Sequence, residues 1–112
     1  MSQAIVVLSN LPDSDSAEAL ARTLVELRLA ACVNILPAVQ SVYRWQGKLE
    51  HVTECTLLIK TVDNRYQEVQ RVIVTAHPYA VPEIISLPIT AGLPAYLAWL
   101  TNETTEIDES DE

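Results

Sequence analysis

Between Cys32 and Thr61 the chain carries two β-rich arms joined by Gln46-Gly47, each about 12 residues or roughly 40 Å long at about 3.3 Å per residue. A typical strand is about half that length. Read by simple alternation, the first arm sets Ile35, Val39, Tyr43 and Trp45 on one side and Leu36, Ala38 and Val42 on the other. The second arm, Leu49 to Thr61, is rich in Val, Thr, Leu and Ile. Apolar side chains on both sides require that both faces be covered, and a projecting hairpin leaves strand edges that proteins avoid exposing. A second copy of the chain is the natural cover, so the pattern predicts a homo-oligomer.

The remaining elements fall around this hairpin. Ile5-Val6-Val7-Leu8 is a short apolar run closed by Leu11-Pro12-Asp13, as expected of a central strand buried on both faces. Asp15 and Glu18 form a capping-box-like pair, and Ala17, Leu20, Ala21, Leu24 and Leu27 follow at helical spacing to about Ala30. Asp63 is placed to cap a second helix with apolar positions Tyr66, Val69, Val72, Ile73 and Ala76, stopped by His77-Pro78. Glu83 to Pro88 reads as a short strand, and Leu93 to Leu100 as a last helix opened near Pro94. The order βαββαβ plus a terminal helix predicts an α+β, ferredoxin-like sandwich with two helices on one face of a four-stranded antiparallel sheet.

At 112 residues the chain is sized for one domain, and 49% hydrophobic with 20% charged residues is globular usage. The net charge of −8 is concentrated: residues 103 to 112 hold six of the fifteen acids and no base, leaving the body, residues 1 to 102, near −2. The expected division is therefore a domain over 1–102 and an acidic, disordered and dispensable tail over 103–112. No apolar run spans a bilayer and the N-terminus lacks the basic region of a signal peptide, so a cytoplasmic protein without membrane contact is expected. Cys32 and Cys55 lack metal-motif spacing and read as buried apolar thiols. A phosphate loop, a nucleophile elbow and a metalloprotease helix are all missing from the sequence, so no catalytic residue is assigned and no enzyme is expected. A slightly acidic body without Phe argues against nucleic acid as a partner.

Four strings stand out: Arg28-Leu29-Ala30-Ala31-Cys32-Val33-Asn34-Ile35, Ser41-Val42-Tyr43-Arg44-Trp45-Gln46-Gly47-Lys48, Lys60-Thr61, and His77-Pro78-Tyr79-Ala80-Val81-Pro82-Glu83-Ile84, of which the last, together with the turn Tyr43 to Lys48, is highly specific. With Pro12-Asp13, they resemble the CutA divalent-cation-tolerance family over roughly residues 4 to 100. The resemblance implies a tight homotrimer in which each hairpin reaches a neighbour, an architecture shared with PII-like signalling proteins. It also implies a part in tolerance to divalent cations, copper above all, with no cofactor required. The alternative it leaves open is a PII-like sensor or carrier that binds an anionic metabolite or nucleotide between subunits, with no metal role.

For copper, His77 and Cys32 are the candidate ligands, since thiolate suits the reduced ion and imidazole the oxidised one. His77 equally reads as a helix-terminal imidazole, and Cys32 as a small side chain at a tight junction. Metal-binding members of the family can offer a Cys and a second His where this chain has Ser9 and Ala76, which implies weaker copper binding here. For a small-molecule cleft the candidates are Trp45, Lys60, Arg65, His77, Tyr79 and Glu83. Trp45 and Tyr79 could equally pack an interface, and Glu83 could pair with Lys60. His51, beside the turn, reads as solvated, and Gln46 replaces a Glu usual in the family.

Overall fold

A computed structural model describes residues 2–106, and its elements follow the expected order. They are β1 (Ala4–Leu11), α1 (Ser14–Glu26), β2 (Cys32–Trp45), β3 (Lys48–Val62), α2 (Tyr66–Ala76), β4 (Ile85–Pro88) and α3 (Pro94–Glu103). The four strands form one antiparallel sheet in the order β2-β3-β1-β4. No helix among the described residues is long and apolar enough to cross a membrane. Residues 107 to 112, most of the expected acidic tail, lie outside the described residues.

Alternation along β1 sends Ile5, Val7 and Leu11 into the core, where they meet Leu57 and Ile59 of β3, Leu20 and Leu24 of α1, and Val69 and Ile73 of α2. The opposite side of β1 is half-buried rather than buried, which corrects the expectation of two fully covered faces. On that side α3 covers one end of the sheet: Leu100 is buried, and the Lys60 ammonium lies 5.9 Å from the centre of the Tyr96 ring. Further along, Leu8, Leu36, Leu58, Ile85 and Leu87 share this face through the strand register, and Leu36, Ile85 and Leu87 stand exposed.

The helix boundaries shift for physical reasons. Asp13, not Asp15, caps α1: its carboxylate accepts the Ser16 N–H at 2.8 Å. The helix ends at Glu26 instead of near Ala30, because Arg28 adopts a left-handed φ of 59° and the Arg28 and Leu29 N–H groups return to the carbonyls of Val25 and Leu24. Glycine usually fills that position. Here the Arg28 guanidinium reaches the carbonyls of Asn102 and Thr105 at 2.9 and 3.0 Å, so the left-handed turn aims a cation at the C-terminus of α3. Asp63 caps no helix; it accepts the Gln3 N–H at 3.1 Å, and a single 3₁₀ turn, Asp63–Arg65, leads into α2.

The hairpin turn is tight, with Gln46 and Gly47 at φ 50° and 79°, as a two-residue turn between right-twisted strands requires. The main departure from simple alternation lies earlier in β2. Between Leu36 and Val39 the register advances three residues against two on β3, a bulge at Pro37 and Ala38, and Ala38 sits at φ 59°. A one-residue insertion exchanges the faces of everything beyond it. Val39, Tyr43 and Trp45 therefore share a face with Leu36, whereas Ile35, expected beside them, points the other way.

Two side chains test this packing. The Ser9 hydroxyl is fully buried (0% exposed) and has no hydrogen-bond partner among the described residues, so Ser9→Ala should raise the unfolding free energy by about 1 kcal/mol. Arg65, also buried, donates to the Thr104 carbonyl at 2.8 Å, and Arg65→Met should lower stability by about 2 kcal/mol. Urea denaturation of both variants measures the two signs.

Candidate functional site

The bulge gathers polar groups and rings at the hairpin end of the open face. Glu54, opposite Val39, is 5% exposed, and its Oε2 accepts the Tyr79 hydroxyl at 3.0 Å. Thr56 donates to Asn10 Oδ1 at 2.6 Å, and Asn10 Nδ2 donates to Glu83 at 3.3 Å, which draws the loop after α2 against the end of β1. Tyr43 and Trp45 from β2 complete an open groove of about 740 Å³.

His77 anchors the loop from beneath. It is 8% exposed, its Nδ1 accepts the Tyr79 N–H at 3.1 Å, and its Nε2 meets the Asn10 carbonyl. A ring nitrogen that accepts a backbone N–H carries no proton, so the imidazole is the Nε2–H tautomer and donates to Asn10. Its ring also packs 4.7 Å from that of Tyr79, tilted by 56°. Both nitrogens are engaged, and the histidine holds Tyr79 over Glu54.

Of the six residues expected to share a cleft, Trp45, Tyr79 and Glu83 line this groove and His77 supports it. Lys60 and Arg65 do not join them. Lys60 lies six residues from Glu54 along β3, roughly 20 Å away, against Tyr96. Arg65 holds the end of α3 through Thr104 and Glu106. Nor does Glu83 pair with Lys60; its partner is Asn10.

The two candidate copper ligands are also apart. Cys32 is aligned with Lys60, which pairs with Val6, whereas His77 meets β1 at Asn10, four residues or roughly 13 Å further along. Cys32 is half-buried with its Sγ 3.9 Å from Asn34 Oδ1, so of the two thiols expected to be buried Cys55 alone is. Among the described residues no three His, Cys, Asp or Glu side chains converge as a metal would need, and a copper site on His77 and Cys32 does not fit one chain. Ser9 faces the helix side of the sheet, where a thiol in its place would be buried with the core. His51 is exposed as expected and bonds Gln40 at 2.9 Å.

Glu54 and Asn10 escaped the sequence reading. The acid is visible in the sequence as a carboxyl inside an otherwise Thr- and Leu-rich strand, but only the bulge shows what stands opposite it. Asn10 carries no comparable signal.

The groove and open face define a small α+β protein that leaves one sheet face and one long hairpin clear of its own core. A family model described as "CutA1 divalent ion tolerance protein" matches residues 5–103. The divalent-cation tolerance protein CutA of Thermus thermophilus is 46% identical over 99 residues, 88% of this chain and 96% of that one. The chloroplastic CutA protein of Arabidopsis thaliana is 43% identical over 89% of this chain, which spans 55% of that protein's length. The crystal structure of CutA1 from Oryza sativa superposes with a TM-score of 0.90 at 40% identity, covering 94% of this chain and 96% of that one. The chain belongs to the CutA1 divalent ion tolerance family.

Burial, and then the Glu54 hydrogen bond and negative charge, push the Tyr79 phenol up to about 12 from its ordinary 10.0. A raised phenol stabilises the fold below pH of about 10, and that contribution disappears as pH rises through about 12. In an alkaline absorbance titration of the four tyrosines Tyr79 should ionise late, and Glu54→Gln should bring it earlier. An unchanged titration in that variant would separate Tyr79 from Glu54.

Proposed function

We propose that the chain takes part in tolerance of divalent metal ions as a cytoplasmic homotrimer of ferredoxin-like subunits, acting by binding and not by catalysis. The observation that carries this reading is the family match over nearly the whole chain, to proteins named for divalent-cation tolerance. The exposed apolar residues Leu36, Ile85 and Leu87 support assembly, because a row of them across a sheet face is costly to leave in water.

The metal is best treated as cargo or signal met by the assembled protein. A thiolate–imidazole site is not formed within one chain, and the groove offers the carboxyls of Glu54 and Glu83, hard donors that bind transition metals with little selectivity. An anionic metabolite or nucleotide is the weaker alternative, since among the described residues no Lys or Arg lines the groove, Lys48 standing beyond it across from Trp45. Sedimentation equilibrium should give three times the chain mass. Titration with cupric and zinc ions should show binding that Glu54→Gln weakens and Cys32→Ser leaves alone; a monomer, or a tight site lost with Cys32, would defeat the reading.

A further inference from the structure

Two arginines from the helix side of the sheet converge on the last turn of α3, which lies on the other side. Arg28, after α1, donates to the carbonyls of Asn102 and Thr105, with Glu103 3.7 Å away. Arg65, before α2, donates to the Thr104 carbonyl and to Glu106 at 3.1 Å, with Glu68 at 3.8 Å. The last carbonyls of a helix have no partner within it, and cations are favoured there. The arrangement has a cost, since Arg28 takes a left-handed φ of 59° and Arg65 is a buried cation. Together they clamp α3 around the end of the sheet.

The clamped helix has little packing of its own. From Pro94 to Leu100 it carries no charged residue, yet of these Leu100 alone is buried, while Leu93, Tyr96 and Trp99 are 70%, 38% and 43% exposed in one chain. A helix that is apolar all round belongs in an interior, and Tyr and Trp are enriched where subunits meet. Tyr96 lies over Lys60, and the row across the strands from Lys60 runs through Val6 to the exposed Leu87. The outer side of α3 is thus continuous with the sheet face that carries Leu36, Ile85 and Leu87.

We infer that α3 is a docking element for a second copy of the chain, and that Arg28 and Arg65 are positioning residues that hold it ready. The inference rests on the homo-oligomer reading and adds to it a surface and a latch. Without the clamp, Leu100 and a few sheet contacts are left to fix the helix, and its last turn opens before the rest of the fold.

The test uses the full-length protein. Arg28→Gly keeps the left-handed turn and removes the guanidinium, so the core strands should retain their amide protection. Hydrogen exchange in α3 should quicken by at least about tenfold, the factor for a lost hydrogen bond from a charged group. Subunit exchange between tagged and untagged copies, followed by native mass spectrometry, should quicken with it. Trp99→Ser, which leaves both arginines in place, should also quicken subunit exchange. A parental rate in either variant would overturn the inference while a trimeric mass left the assembly standing, and unchanged α3 amides in Arg28→Gly would overturn the latch. A parental protein that sediments as a monomer would remove the homo-oligomer reading, and the docking role with it.

Discussion

Strand β3 is paired along nearly its whole length on one side and along only about half of it on the other, and most of the molecule follows from that inequality. From Thr56 to Lys60 it lies between β1 and β2, backed by α1 and α2. From Lys48 to Glu54 it has β2 alone. The described residues accordingly extend 52 Å in one direction against 30 and 21 Å in the others. Half of the hairpin therefore leaves the hydrophobic core behind, and residues such as Val42, Tyr43, Trp45 and Leu49 stay exposed with no helix available to cover them.

At the boundary between the backed and unbacked halves lies the bulge. Because the side-chain period of a strand is two, one extra residue at Pro37 and Ala38 decides that Tyr43 and Trp45, not Val42 and Arg44, face the side on which Glu54 meets Tyr79. The arms, the turn and the two-sided apolar character were legible from composition and spacing, since long β-branched runs flanking Gln46-Gly47 have few other uses. The change of face was signalled by Pro37, which cannot donate to a strand ladder, but that signal does not say on which side the inserted residue falls. That is why the sequence grouped Ile35 with Trp45 and the structure separates them.

The same limit applies to the ends of helices and to paired charges. The apolar stripes of α1 and α2 were readable because burial imposes the helical period. The left-handed turn at Arg28 was not, because nothing in a local window shows that its guanidinium will find the carbonyls of Asn102 and Thr105, more than seventy residues away. Arg65 looked like a cleft cation for a similar reason: a basic residue near apolar ones reads as a ligand group until the far end of α3 folds back to occupy it. His77 was correctly placed at the end of α2, but its two hydrogen bonds involve backbone atoms of another strand and of its own loop. Such contacts leave no compositional trace.

Taken together, these placements divide the charges by location. At the α3 end of the sheet, Arg28, Arg65 and Lys60 are each committed to a carbonyl, a carboxylate or a ring within the chain. At the hairpin end, Arg44 and Lys48 stand near the turn, while among the described residues Glu54 and Glu83 meet only a phenol and an amide. A fold that sought stability alone would place its few cations against its buried acid, since a single compensating charge offsets several kcal/mol of desolvation, to order of magnitude. This chain instead uses its buried arginine to fasten a helix terminus and leaves its buried carboxyl facing an aromatic groove. Natural sequences break such local rules chiefly where function requires it. That imbalance, together with the groove it borders, is the physical ground for proposing the base of the hairpin as the functional end of the molecule.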